Sequence, residues 1–276
     1  MPRIFLLVFL LWCGAATAAE RVITLAPNLA ELVCAVGGCD RLVGVVSYTD
    51  FPPQLAKLPH VGDAYALNLE AVIALKPDLI LAWGGGTSPQ TLARLRDLGL
   101  HVEPVSVNGL AGVADALLRV GQLLGTQAAA TAAADAYSKR LNALRERYRD
   151  APKLRVMYQI EANPAFTVSG QSPISDAIAL CGGINVFAGL RQIAAPVSKE
   201  AVLAANPDVV VFGQGDDARA VRGYWRAFPH ATAVVNGDLY ALDTEVLERA
   251  APRMLDGVEQ LCMALDQARG KRLISR

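Results

Sequence analysis

Two glutamates in a duplicated block carry the clearest chemical signal in this chain of 276 residues. Glu70 lies in residues 68–82, and Glu200 takes the same place in residues 197–212, 130 positions further along. A repeat at about half the chain length is too widely spaced for a solenoid, so it predicts two similar lobes that enclose a cleft. The residues that recur in register are Glu70, Ala71, Val72, Ala74, Pro77 and Asp78, repeated as Glu200, Ala201, Val202, Ala204, Pro207 and Asp208.

Each glutamate follows a residue that can cap a helix, Asn68 in the first block and Ser198 in the second. Both carboxylates are therefore expected near the second helical position, where the helix dipole stabilises a negative charge by about 0.3–1 kcal/mol. That stabilisation alone would explain the pair. A second interpretation is that two exposed anions, one on each lobe, bind a symmetric partner.

The residues around the two blocks predict α/β lobes with mainly parallel central sheets. Apolar runs at residues 79–83 and 209–212 are typical of parallel strands covered on both faces. Each lobe begins with a strand, at residues 21–25 and 155–159, and a helix that ends at a glycine pair follows each of them. In the first lobe, Pro89 predicts a helix start, and residues 101–105 then return to the sheet.

The first helix carries a sequence pattern for its N-terminus. Asn28 is expected to be its N-cap, because Glu31 follows three residues later, as in a capping box. In the second lobe the corresponding helix is expected from about Ser175.

One long helix is predicted between the lobes. The residues after Gly125 contain no helix breaker and are rich in Ala, Leu and Arg. Such a helix would join the lobes stiffly and limit hinge motion. The predicted organisation is a signal peptide at 1–18, an N-terminal lobe at 19–124, the connecting helix at 125–150 and a C-terminal lobe at 151–276.

The N-terminal residues predict export. Arg3 precedes an apolar run from Ile4 to Trp12, and Ala16 and Ala18 form a cleavage site of the secretory type. The run is too short to cross a bilayer as a helix. The bulky Trp12 disfavours lipid attachment at Cys13, so a soluble exported protein is expected.

Charge and cysteine content narrow the class further. Lys plus Arg and Asp plus Glu both number 26, and they are interspersed, which argues against a nucleic-acid partner. Five cysteines occur, and Cys13 leaves with the signal peptide. The remaining four allow three connectivities, and in an oxidising compartment we expect them to pair. Cys181 with Cys262 is the predicted bridge; Cys34 either pairs with Cys39 or is a buried thiol.

In order along the chain, a series of stretches resembles the class III periplasmic substrate-binding proteins, and among these the group that serves cobalamin importers. The resemblance covers nearly the whole mature chain. It implies a non-enzymatic periplasmic protein, monomeric when free, that binds a corrinoid between its lobes. It also implies delivery to an ABC permease dimer in the inner membrane, with Glu70 and Glu200 each pairing with an arginine of one permease subunit. The stretches are residues 21–25, 45–53, 68–83, 163–167, 181–183 and 248–253.

The resemblance also implies a set of ligand-binding residues. Aromatic walls would bury the face of the macrocycle, while an arginine and a carboxylate would orient its amide side chains. Tyr65 stands beside Ala64, and both Ala64 and Ala194 occupy positions where the family has tryptophan. A corrinoid with a bulkier or missing lower base, or another metal-chelate macrocycle, is therefore also compatible. The implied ligand-binding residues are Tyr48, Tyr65, Trp83, Phe166, Glu245 and Arg249.

The residues themselves give this set partial support. Trp83 ends an apolar strand and precedes three glycines, an arrangement typical of ligand edges in α/β sheets. Tyr48 and Phe166 are expected in loops. Arg249 is expected to open the final helix, where the dipole offers a cation nothing.

The sequence gives little support for a catalytic site or for a resident metal ion. The three histidines, His60, His101 and His230, are widely spaced, and no Gly-x-Ser-x-Gly elbow occurs. No catalytic residue, metal site or bound cofactor is predicted. The alternatives are a ferric-siderophore or haem receptor of the same fold, a secreted enzyme with a cleft active site, and a structural interaction protein.

Overall fold

The computed structural model describes residues 18–63 and 66–274, and its architecture is the predicted pair of α/β lobes joined by one long helix. The predicted signal peptide falls almost entirely outside the described residues. Within the described part of the chain, every helix is too short or too polar to cross a membrane.

The N-terminal lobe is built on a four-stranded parallel sheet in the order β2-β1-β3-β4. Short 3₁₀ turns occur at Cys39–Arg41 and Pro53–Lys57. The strands are β1 (Val22–Thr24), β2 (Leu42–Gly44), β3 (Leu79–Trp83) and β4 (Val102–Val105), and the helices are α1 (Pro27–Ala35), α2 (Leu69–Ala74), α3 (Pro89–Asp97) and α4 (Gly112–Leu124). Strands β1, β3 and β4 confirm the strands predicted at residues 21–25, 79–83 and 101–105.

The connecting helix α5 spans Gln127–Tyr148, which is 22 residues, or about 33 Å at 1.5 Å per residue. Its apolar side packs into one continuous core that reaches from α1 and α4 of the first lobe to α6 (Pro173–Leu180) and α11 (Met254–Ile274) of the second. Beside this apolar face, Arg140 pairs with Asp256 and Glu259 of the last helix. The lobes are therefore coupled through packed side chains as well as through the backbone.

The C-terminal lobe has a six-stranded sheet in the order β10-β9-β5-β6-β8, with β7 also paired to β5. Parallel pairing joins β9 to β5 and β10, while β6 and β8 add antiparallel. The strands are β5 (Leu154–Ala162), β6 (Ala165–Val168), β7 (Gly183–Asn185), β8 (Ala194–Val197), β9 (Val209–Gly213) and β10 (Leu239–Leu242). The helices are α6 (Pro173–Leu180), α7 (Lys199–Ala205), α8 (Asp216–Trp225), α9 (Thr232–Val235), α10 (Thr244–Glu248) and α11 (Met254–Ile274).

The duplicated block is repeated in three dimensions. The Asn68 side chain accepts a hydrogen bond from the Ala71 N–H at 3.0 Å, and the Ser198 hydroxyl accepts one from Ala201 at 3.1 Å. At the other end of each block, Asp78 binds the backbone N–H of Arg21, just before β1, as Asp208 binds that of Arg155 in β5. The helix caps and the aspartates of the repeat are thus explained by folding.

Three local expectations were wrong. Helix α1 begins at Pro27 with Ala26 as N-cap and no side-chain cap, because Pro27 supplies the fixed φ of a first helical residue. Asn28 and Glu31 therefore form no capping box. Phe166 lies on β6 and not in a loop, because residues after Pro164 turn back and pair with β5. Arg249 follows α10 instead of opening the last helix, which begins at Met254.

Two disulfides are present in the described part of the chain. Cys181, just after α6, is bonded to Cys262 of α11, as predicted. Cys34 is bonded to Cys39, which decides between the two alternatives for that thiol. The bridge between Cys181 and Cys262 fastens the last helix to the rest of the C-terminal lobe, and both of these cysteines are fully buried.

Candidate functional site

A cavity of about 740 Å³ lies between the two lobes. The N-terminal lobe supplies most of its lining, from the turn after β1, the segment after β2 and the end of β3. The C-terminal lobe contributes residues 248–250, at the end of α10. The volume suits a large organic ligand, and the carboxyl ends of parallel strands are the usual binding edge of an α/β sheet.

Trp83 forms part of the cavity wall at the end of β3 and is 41% exposed. Its backbone is fixed by a hydrogen bond from the Trp83 N–H to the Thr87 hydroxyl at 3.0 Å. A Cβ at Gly86 would overlap the indole ring, so a glycine at this position lets the ring lie against the backbone. The result is a broad aromatic face held at the mouth of the cavity.

Tyr48 lies on the same cavity and is 81% exposed. Its backbone is left-handed, with φ at 65°, a conformation that costs a residue with a Cβ about 1–2 kcal/mol. The neighbouring turn is fixed by the buried Thr49 hydroxyl, which donates to the Val46 carbonyl at 2.7 Å. A strained backbone under an exposed aromatic side chain is typical of binding loops.

Arg249 brings a positive charge to the C-terminal wall of the cavity. Its guanidinium donates to Asp50 of the N-terminal lobe, lies 3.5 Å from Glu31 and lies 3.5 Å from Glu245. Burial raises the pKa of Asp50, but the hydrogen bond and charge of Arg249 outweigh it and hold that pKa below its ordinary value. Asp50 is therefore ionised near neutral pH, and it pairs across the two lobes.

A second arginine crosses between the lobes beside the first. Arg253 donates from Nε to both oxygens of Glu31, at 3.0 and 2.9 Å, and its Nη2 lies 2.8 Å from one of them. The Glu31 side chain is only 3% exposed. The Arg253 guanidinium also lies over the Phe51 ring, 4.3 Å from its centre.

The sequence patterns did not predict the roles of Glu31, Asp50 and Arg253. One available signal was Glu31 itself, a charged residue within the apolar run at residues 29–33 of α1. A carboxylate in such a run is buried, and a buried carboxylate requires a cation or several hydrogen bonds. That signal predicts a partner without saying where in the chain it lies.

Other predicted ligand residues lie around this centre. Glu245 is exposed beside Arg249, outside the cavity lining. Phe166 is partly buried on β6, paired with Pro196, and it too lies outside the described part of the lining. Ala194 is at the start of β8. Tyr65 and Ala64 lie outside the described residues. The ligand roles of all six predicted residues stay predictions, including those of Tyr48, Trp83 and Arg249, which line the cavity.

Glu70 and Glu200 are the second residues of α2 and α7, as expected, and both are exposed. The backbone N–H of Glu200 and the Ser198 hydroxyl hold the pKa of Glu200 below its ordinary value, so its carboxylate is charged at neutral pH. The residues one turn further on, Ile73 and Leu203, are also equivalent in the repeat and are 48% and 45% exposed. Each lobe thus presents the same combination of an anion and an apolar side chain.

Among residues 18–63 and 66–274, no group of three His, Cys, Asp or Glu side chains is arranged to hold a metal ion. The imidazole of His101 lies 3.2 Å from Glu103, away from the cavity lining.

Comparisons with known proteins agree with this geometry. The sequence profile of a family described as periplasmic binding protein matches residues 22–246. A vitamin B12-binding protein from Yersinia pseudotuberculosis is 36% identical over 271 residues, covering 96% of this chain and 93% of that protein. The crystal structure of the periplasmic vitamin B12-binding protein of Vibrio cholerae superposes with a TM-score of 0.84 at 36% identity, covering 91% of this chain and 98% of that one. A periplasmic haem-binding protein from Pseudomonas aeruginosa superposes with a TM-score of 0.79 at 28% identity, covering 89% and 92%.

Proposed function

Because this chain belongs to the family of periplasmic binding proteins, we propose that it captures a corrinoid between its lobes and delivers it to an ABC importer. The observation that carries the proposal is the cavity itself, where Tyr48 and Trp83 present aromatic surface and Arg249 a guanidinium. Relatives at 36% identity that are named vitamin B12-binding proteins support the same ligand class.

The chemistry of a corrinoid suits these residues. Its macrocycle offers a wide apolar face, which aromatic side chains such as Tyr48 and Trp83 can cover. Its rim carries amide side chains, whose carbonyl oxygens accept hydrogen bonds from Arg249. In this proposal Tyr65, Phe166 and Glu245 complete the site when the ligand is bound.

Haem is the second candidate, and one observation favours it specifically. Tyr48 is a highly exposed phenol at the cavity, and a tyrosine oxygen is a known type of haem-iron ligand. The carboxylates of a haem could in turn pair with Arg249. The similar haem-binding protein from Pseudomonas aeruginosa makes this alternative worth a direct test.

A titration of the mature protein separates the candidates. Cyanocobalamin, cobinamide, haemin and a ferric siderophore are added in turn, and tryptophan emission is followed. Trp83 lines the cavity, so a bound ligand should quench its emission. We expect saturable quenching by a corrinoid, and Trp83→Phe should reduce its amplitude. Saturable binding of haemin or siderophore with none of either corrinoid would refute the proposed ligand.

The proposed site of action is the periplasm. Residues 1–18 would direct export and be removed, leaving a free monomer that meets its permease at the inner membrane. Metal, nucleic acid and bound cofactor have no part in this proposal, in which the corrinoid is cargo. ATP would be hydrolysed by other subunits of the importer.

Docking to the permease is proposed to use Glu70 and Glu200. Both are exposed anions in structurally equivalent positions, and each has an exposed apolar neighbour, Ile73 or Leu203, on the same helix face. The helix dipole would stabilise the two glutamates, but folding does not account for the exposed apolar side chain that recurs beside each of them. A symmetric permease dimer with an arginine on each subunit would complement both lobes at once.

Replacing Glu70 and Glu200 together with alanine should lower uptake of labelled cyanocobalamin at least tenfold, because both charged anchors of the docking surface are lost. Uptake is measured in a bacterium whose own vitamin B12-binding protein has been deleted. The dissociation constant for cyanocobalamin should stay within about twofold, since neither residue lines the cavity. Asp97→Ala with Asp150→Ala serves as a charge-matched control. Unchanged uptake would rule out the docking role, and lost ligand binding would reassign both residues.

A further inference from the structure

The cavity wall formed by residues 248–250 belongs to one lobe but is tied to both. On its own lobe, the buried Tyr158 of β5 donates a hydrogen bond to the Glu248 carboxylate at 2.6 Å. On the opposite lobe, Arg249 donates to Asp50, and the Asn28 amide donates to the Ala250 carbonyl at 3.5 Å. The orientation of Arg249 is thus decided by the N-terminal lobe, although its backbone belongs to the C-terminal one.

Two carboxylates of the N-terminal lobe, Glu31 and Asp50, bind different arginines of the C-terminal lobe. Glu31 is buried, and Arg253 contacts both of its oxygens at 3.0 Å or less, whereas Arg249 lies 3.5 Å from it. Asp50 is 52% exposed, lies 3.9 Å from Arg253 and accepts its hydrogen bond from Arg249. Asp50 is therefore the carboxylate that fixes Arg249. It lies outside the cavity lining, behind the arginine that lines it.

We propose that Asp50 is a positioning residue for ligand binding, which holds the Arg249 guanidinium against the N-terminal lobe so that its remaining N–H groups meet the ligand at the cavity wall. This inference rests on the proposed binding of a corrinoid by Arg249. An arginine side chain has many rotamers, and a ligand that meets it already fixed loses less conformational entropy on binding. Asp50 supplies that preorganisation without touching the ligand.

The same pair makes the binding site depend on how the lobes are placed. Arg249 keeps its hydrogen bond to Asp50 only while the two lobes hold both residues together. A change in lobe separation by a few ångströms would release the guanidinium and weaken the site. Ligand release could therefore follow from separation of the lobes at the permease without any change in the aromatic residues.

Asp50→Asn tests the proposal, because it keeps the size of the side chain and removes its charge. The dissociation constant for cyanocobalamin is expected to rise roughly tenfold, as a charge-assisted contact is lost and Arg249 becomes mobile. Asp50→Glu should recover part of the affinity. The control is Asp256→Asn, since Asp256 is also 52% exposed and pairs with an arginine, Arg140, at 2.6 Å, away from the cavity.

A ligand-free measurement keeps the test independent of the corrinoid. The unliganded variants are treated with phenylglyoxal, and modification of Arg249 is followed by peptide mass spectrometry. Asp50→Asn should increase the modification rate of Arg249 at least threefold, and Asp256→Asn should leave it unchanged. An unchanged rate, or an unchanged dissociation constant in a protein whose wild type binds cyanocobalamin, overturns the positioning role. A wild type that binds no corrinoid, with Arg249 still released by Asp50→Asn, refutes the proposed ligand and leaves Asp50 as the residue that fixes Arg249.

Discussion

Glu31→Ala is expected to lower the free energy of unfolding by about 3–5 kcal/mol, the usual loss when one member of a buried ion pair is removed. The Glu31 side chain is 3% exposed, and Arg253, its partner, is 19% exposed. Removing the carboxylate leaves the Arg253 charge largely desolvated and without its hydrogen-bond acceptor. Urea unfolding of the ligand-free protein, followed by circular dichroism, measures the loss.

Two further variants separate the ion pair from general damage to α1. Glu31→Leu combined with Arg253→Met removes both charges and fills a similar volume, so it should recover most of the stability. Glu259→Ala removes an ion pair with Arg140 that is 43% and 39% exposed, and it should cost less than about 1 kcal/mol. If Glu31→Ala cost no more than Glu259→Ala, the inter-lobe pair would not stabilise the fold.

Glu31 shows how much a local sequence pattern can predict. Its position three residues after Asn28 fits a capping box, and the same position on α1 fits a buried ion pair. What distinguishes the two is Arg253, which is 222 residues away in sequence. No spacing within α1 encodes that distance. The pairing of Arg249 with Asp50 could not be predicted from the sequence for the same reason, because the two residues belong to different lobes.

The predictions that held depend on local physics. Strand β3 follows from a short apolar run that ends before three glycines, all within eight residues, and Trp83 at its end lines the cavity. The repeated caps at Asn68 and Ser198 follow from side chains that bond to N–H groups three residues away. The long connecting helix follows from summed helix propensity.

No comparable sequence pattern predicts the two antiparallel strands of the C-terminal sheet, β6 and β8. Strands β6 and β8 have four residues each, and β8 includes Pro196, which is tolerated at a sheet edge because it needs no partner for an N–H. Strand β6 pairs with β5 and β8 pairs with β6, and neither pairing follows from an alternation in the strand's own sequence. Phe166 was accordingly expected in a loop and lies on a strand.

Replacing Cys181 and Cys262 together with alanine should have the other large effect on stability. The bridge closes a loop with a sequence separation of 81, for which chain entropy gives a loss of about 4–5 kcal/mol in the free energy of unfolding. The midpoint of thermal unfolding should fall by roughly 10–18 °C for a chain of this size. Because Cys262 lies on α11, which carries the contacts of Asp256 and Glu259 with α5, the last helix should lose protection against hydrogen exchange first.

The second disulfide is the internal control for this prediction. Cys34 and Cys39 are only five residues apart, so their removal should cost about 2 kcal/mol by the same relation. The difference between the two double variants isolates loop length, since each loses one bridge and gains two alanines. Equal losses would mean that strain or side-chain packing, and not the constraint on the unfolded chain, decides what each bridge contributes. A larger loss for the long loop, with α11 exchanging first, would identify this bridge as the main covalent support of the last helix.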